Sequence, residues 1–175
     1  STEDVDINTN ILIPGNTYYI SVDILNNNFD GTFTLCLDDE LDYDFYEGAI
    51  DVTNLIGTCS ADAQFSTVGA SPDEMAGSCW NNSGPLFNRW FKFTAPASGE
   101  IKATIDVGGS KGSQRHTQMA LWQADGITEV ACDRYRSFST DDVDVNALGL
   151  IPGDIYYISV DVLNSNFDGS FTLCL

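Results

Sequence analysis

The sequence predicts an all-β protein, a two-sheet, jelly-roll-like β-sandwich carried on a tandem repeat of 138 residues. Three observations predict it. Apolar and polar residues alternate in short runs, the period-2 pattern of strands half-buried against a core. Turn residues punctuate the chain about every 8–12 positions, and no stretch sustains a helical 3.6-residue period. Residues 1–37 return as residues 139–175, and from Leu12/Leu150 onward 21 of 26 positions are identical.

The elements follow in order. Strands are expected near 64–69, 117–123, 127–133 and 143–148. In 89–94, Phe91 and Phe93 face one way and Trp90 and Lys92 the other; Ile101, Ala103 and Ile105 alternate with Lys102, Thr104 and Asp106. The stretch 96–99, Pro-Ala-Ser-Gly, is the turn between those two strands. Tyr156, Ile158, Val160 and Val162 alternate with Ile155, Tyr157, Ser159 and Asp161, and Phe171, Leu173 and Leu175 alternate with Thr172 and Cys174. The turn-rich link 164–169 predicts that these last two runs form a hairpin.

The repeat sets the domain organisation. It copies loop and surface positions as well as apolar ones, so packing alone does not account for it. The chain reads as a window on a tandem array. Residues 1–37 are the C-terminal strands of a preceding copy, about three of them, and 38–175 form one complete β-sandwich repeat. A rival arrangement has the 1–37 strands complete the sheet around 38–138 while 139–175 reaches into the next unit or subunit, as strand donation. The continuous array is preferred, because strands adjacent in sequence usually pair within one domain.

Residues 38–175 hold 21 acids and 7 bases, a formal charge of −14, and all seven bases lie between Arg89 and Arg136. Phosphate binding needs a basic face, so nucleic acid is excluded as a partner. The most acidic stretch, 38–51, carries seven acids and no base, and it marks the junction between units. Its aromatic residues Tyr43, Phe45 and Tyr46 are able to dock it. No run approaches the ~20 apolar residues of a membrane span, so this segment is not expected to insert in a membrane.

Cys36 is the copy of Cys174, so each period contains four cysteines: Cys59, Cys79, Cys132 and Cys174. An even count without metal-ligand spacing favours disulfides and an oxidising compartment. The preferred pairing is Cys59–Cys79 with Cys132–Cys174. Its main rival joins Cys36 to Cys59 across the junction.

From Cys79 to Leu175 the blocks Cys79-Trp80, 89–101 (Arg-Trp-Phe-Lys-Phe-Thr-Ala-Pro-Ala-Ser-Gly-Glu-Ile), 119–122 (Met-Ala-Leu-Trp), 130–133 (Val-Ala-Cys-Asp), 156–160 (Tyr-Tyr-Ile-Ser-Val) and 168–173 (Asp-Gly-Ser-Phe-Thr-Leu) occur in that order. This arrangement resembles the pre-peptidase C-terminal-like β-sandwich modules of long bacterial cell-surface and adhesin proteins, of the kind found in gliding bacteria. The resemblance covers 79–175 well and 48–78 loosely. It implies a fold and an extracellular, cell-surface setting rather than an activity, since the blocks are core and turn elements.

Three kinds of site were weighed. Calcium takes six to eight oxygens, and closely spaced carboxylates supply them. Asp38, Asp39, Glu40, Asp42 and Asp44 are the best cluster, and Asp141, Asp142 and Asp144 the second. A solvated acidic linker that keeps the array extended is the plainer reading. Trp80, Trp122 and Tyr157 were placed on outward faces, where exposed rings would stack on surface glycans. Catalysis finds little support, because the single histidine, His116, stands beside Arg115 with no recognisable nucleophile motif. The sequence therefore leads to a non-catalytic structural or adhesive repeat whose partners are neighbouring repeats or like subunits. The alternative is a carbohydrate- or protein-binding accessory module of a secreted enzyme such as a peptidase.

Overall fold

The computed structural model describes residue 7, residues 16–25, 28 and 31–35, and then 43–175 apart from 82–83 and 137–141. The chain divides into two compact units, Ser1–Leu37 and Asp38–Leu175.

The described residues of the second unit form a β-sandwich of nine strands: β1 (Ile50–Asp51), β2 (Phe65–Ser66), β3 (Arg89–Thr94), β4 (Glu100–Asp106), β5 (Thr117–Trp122), β6 (Glu129–Arg134), β7 (Val143–Leu148), β8 (Ile155–Val162) and β9 (Ser170–Cys174). One sheet has the order β1-β3-β8-β5-β6 and the other β2-β9-β4-β7. All pairings are antiparallel except β1 with β3. In this unit every long strand expected from alternation is present, and no α-helix occurs among the described residues.

Alternation builds the core. Phe91 and Phe93 from β3, Met119 and Leu121 from β5, and Ile158 and Val160 from β8 point inward from the first sheet. Ala103 and Ile105 from β4, Val143 and Val145 from β7, and Phe171 and Leu173 from β9 meet them from the second. Phe65 fastens the edge strand β2, with its ring edge-on to Phe91 at 4.8 Å. β8 is the centre of its sheet, with six residue pairs to β3 and six to β5.

That central place corrects the expected hairpin. Both edges of β8 are filled by strands distant in sequence, so none remains for β9, which pairs with β2 and β4 in the opposite sheet. The 164–169 link crosses between sheets, and its turn chemistry does not distinguish the two outcomes. The 96–99 turn also crosses, taking the chain from β3 in one sheet to β4 in the other.

The disulfides differ from the expected pairing as well. They are Cys59–Cys174 and Cys79–Cys132. The 57–60 segment runs along β9 as a further short partner, with Gly57 N–H on the Leu175 carbonyl and Ser60 N–H on that of Leu173, which sets Cys59 opposite Cys174. Cys79 lies across the first sheet beside β6, where its N–H meets the Cys132 sulfur. Cys59 and Cys79 thus serve different sheets despite being near in sequence. Cys59 is taken by Cys174, and Cys36 lies outside the described residues.

In the first unit the described residues 16–25 and 31–35 carry no strand and are exposed. The sequence reading placed strands here. A strand without neighbours leaves its ladder groups unpaired and has little stability by itself.

Candidate functional site

The outer face of the five-stranded sheet is where the predicted stacking residues Trp80, Trp122 and Tyr157 converge. Trp90 (β3), Trp122 and Ala120 (β5) and Cys132 (β6) point away from the core, and Trp80 and Tyr157 join them. Local alternation alone would leave this face in water. Instead the chain folds two of its own segments across it, one from 43–51 and one around 73–81.

The first segment is held by aromatic contacts and one ion pair. The Tyr46 ring meets Trp90 edge-on at 5.5 Å and lies 4.4 Å from the Tyr157 ring, while its hydroxyl donates to the Ala124 carbonyl at 2.5 Å. Burial, with the Tyr157 hydroxyl alongside, pushes the Tyr46 hydroxyl up to about 12. Gly126, at φ +68°, makes room for the ring, since a Cβ there would meet Tyr46 at 2.6 Å. Tyr43 packs on the other side of the sheet edge, against Phe91 and Phe65. Arg89 binds Asp44 at 2.8 Å, with both side chains largely buried, and lies 4.8 Å from the Tyr43 ring centre. Its remaining donors reach the carbonyls of Ser66 and Val68. Tyr43 and Tyr46 therefore dock residues 43–51 of the acidic stretch, and β1 extends this segment in parallel along β3.

The second segment is pinned by Glu129, whose carboxylate accepts both the N–H and the hydroxyl of Ser78, and by the Cys79–Cys132 bond. Gly77 sits tight against Trp80 and Ala120, where a Cβ would come within 3 Å of both.

These contacts correct the glycan platform. Trp80 and Trp122 are buried at 7% and 1% exposure, and Tyr157 is half-buried against Tyr46. Trp122 also donates its indole N–H to Ser159 Oγ at 2.8 Å. The two tryptophan rings are covered by the protein's own residues, and the Tyr157 ring is engaged by Tyr46.

The acidic candidates fare differently from one another. Asp44 is committed to Arg89 and to the Ser71 N–H. Asp144 accepts from Thr104 at 2.6 Å and pairs with Lys102 at 3.1 Å. Asp142 accepts the Val107 N–H at 3.2 Å. Asp38, Asp39, Glu40, Asp42 and Asp141 lie outside the described residues. Among the described residues no group of three or more His, Cys, Asp or Glu side chains is placed to hold a metal ion.

Two carboxylate groups do gather. Asp73 is raised chiefly by burial, with the charges of Glu47 and Asp44 adding and the N–H groups of Tyr46 and Glu74 opposing; Glu74 is raised by burial and then by the charges of Asp73 and Glu47. Asp142 is raised by burial and by Asp106 and Asp144, against the opposing effect of the Val107 N–H. A carboxyl raised in the fold binds its proton more tightly there than in the unfolded chain. Its contribution is therefore full below the ordinary Asp value of about 3.9 and is lost as pH climbs through the raised one. Asp142→Asn keeps an oxygen for Val107 and removes the charge. It is expected to raise the melting temperature at pH 7, with the gain shrinking as pH falls through the raised value and gone below about 4. Thermal unfolding of both proteins across pH 3–8 checks this, and an unchanged difference at all pH values would refute the cause given.

His116 sits in the left-handed region at φ 50°, between the Phe167 ring at 4.0 Å and the Tyr135 ring at 4.4 Å. Burial, then the neighbouring Arg115, pushes its pKa down. Nearby Gln114 is fully buried between Thr67 and Thr117 and ties loop to loop. Arg89 and Asp161, a buried carboxylate described below, were not singled out from sequence. The signal for Arg89 was its place as first of the few bases, directly after the most acidic half of the unit.

Fold and site together define a disulfide-bonded β-sandwich domain with one outer sheet face sealed by its own chain. Such bonds form in an oxidising environment. No helix among the described residues is long and apolar enough to cross a membrane. No family model matches the chain, and no curated protein matches it.

Proposed function

We propose that this chain is a structural or adhesive repeat module of an extracellular bacterial surface or filament protein, and that it performs no catalysis. The observation that carries this reading is the internal copy. Residues 12–37 repeat 150–175 across strands, links and polar positions alike, and in the second unit that segment supplies the central strand of one sheet and an inner strand of the other. Near-identical copies at a fixed period are the signature of an array of like units. Two disulfides and a surface with a large acid excess suit a domain that works outside the cell. The sealed aromatic face supports a module whose rings hold it together in preference to a sugar-binding one. Neighbouring repeats or like subunits are then its partners.

The test is the denatured mass of the native polypeptide, run with and without reductant. A reduced mass many times 19.0 kDa is expected. A single reduced band near that mass would overturn the array.

A further inference from the structure

We propose that residues 12–37 are a second set of sandwich-completing strands, and that their occupant is the body of a second copy of this chain, entered in the places of β8 and β9. The inference deepens the repeat reading and rests on it only for the internal copy.

One sequence is found here in two conditions. Ile158, Val160, Val162, Phe171 and Leu173 are fully buried in β8 and β9. Their counterparts Ile20, Val22, Ile24, Phe33 and Leu35 belong to no strand and are 45–68% exposed. What covers this face is known, because the same side chains are covered elsewhere in the molecule by β3, β5 and β4.

The polar positions make the fit specific. Any apolar strand could line a core, but this groove asks for more. Ser159 accepts the Trp122 indole N–H, and Asp161 accepts the N–H groups of Leu86 and Phe87. Their counterparts are Ser21 and Asp23. At Gly169 a Cβ would lie 2.7 Å from the Gln114 nitrogen and 2.8 Å from the Ser113 carbonyl carbon, so only glycine passes there. Its counterpart is Gly31, where a Cβ meets nothing within 4 Å. Glycine at 31 thus answers a constraint that exists in the groove and not in its present surroundings. Cys174 bonds Cys59, and its counterpart is Cys36.

Within one chain, the attached 150–175 segment holds the groove by its high effective concentration. A copy whose own segment is disfavoured would take 12–37 from another copy. The contact joins two different surfaces of the chain, so it either closes as a reciprocal pair or propagates head to tail.

The experiment uses the 175-residue chain. Gly169→Val, Gly31→Val and the double variant are refolded in an oxidising thiol buffer at high concentration, each as a mixture of isotope-labelled and unlabelled chains. Mass is read by light scattering and cysteine pairing by peptide mapping. Gly169→Val is expected to give two-fold and higher multiples of the chain mass, with Cys36–Cys59 bonds joining labelled to unlabelled chains. Gly31→Val should match the parent, and the double variant should form no such bonds. A Gly169→Val protein that stays monomeric, including one with Cys36–Cys59 inside a single chain, would overturn the proposal. So would one that fails to fold without forming the bond between chains, because the supplied strands should have rescued it. Polypeptide mass decides the array and these variants decide the exchange, so either can fail while the other stands.

Discussion

Asp161→Ala is expected to destabilise the second unit by about 3–5 kcal/mol, a large share of a small domain's total stability. Asp161 is fully buried on the central strand, with its carboxylate accepting from Leu86 N–H at 3.0 Å, Phe87 N–H at 2.8 Å and Val162 N–H at 2.7 Å. The first two bonds tie the 84–88 approach to β3 onto β8. Alanine removes the acceptor and leaves these part-buried backbone donors without a partner, which costs more than the bonds themselves contribute. Asp161→Asn retains one acceptor oxygen and should lose less. Urea unfolding of the three proteins tests the order. A loss below about 1 kcal/mol for alanine would mean that the 84–88 segment finds other acceptors.

Removing the Cys59–Cys174 bond as the double serine variant is expected to cost about 4 kcal/mol under oxidising conditions. The bond closes a loop with a sequence separation of 115, and a long loop gives up much chain entropy when unfolded. It also sits where 57–60 runs along β9, so its loss loosens that outer pairing. The variant's deficit should shrink sharply when parent and variant are compared in reductant, where neither has the bond. The Cys79–Cys132 bond, with a separation of 53, should matter less to global stability and more to closure over Trp80 and Trp122. Equal unfolding midpoints of parent and double serine variant in oxidising buffer would refute the expectation.

What was legible in the sequence is what is local. Alternation in 89–94, 101–106 and 155–162 marks strands because side-chain direction in a strand depends only on position along it. The same rule put Trp90 and Phe91 on opposite faces of their strand, as they are. It did not tell whether the other face is wet. Trp122 points outward from its sheet as expected, yet it is buried because Tyr46 and the 73–81 segment arrive from far along the chain. β1 went unread for a related reason: two residues carry no period, and only the parallel ladder to β3 makes them a strand. The cysteine pairing was equally out of reach, since nearness in sequence says nothing about which sheet a loop runs beside.

The acidic candidates show the same boundary. A run of carboxylates is visible in any sequence, but its chemistry depends on what meets it. Arg89, 45 residues beyond Asp44, turns one of those carboxylates into half of a buried ion pair. Lys102 and Thr104 on β4 do the corresponding work for Asp144 on the neighbouring β7.

By itself the sequence determined the long strands of the second unit, the alternation of their two faces and the existence of the 138-residue copy, all of which are properties of residues relative to their near neighbours or to one another. Tertiary structure decided the sheet order, the disulfide pairing, the sealing of the outer aromatic face and the fate of the copied segment. Residues 18–25 and 156–163 differ at one position, Ile24 against Val162, yet the first lies exposed without a strand and the second holds the sandwich's central strand. The physical reason is that a strand's hydrogen bonds and buried area belong to the pair it forms, so the same residues are stable as a strand only where β3 and β5 stand on either side.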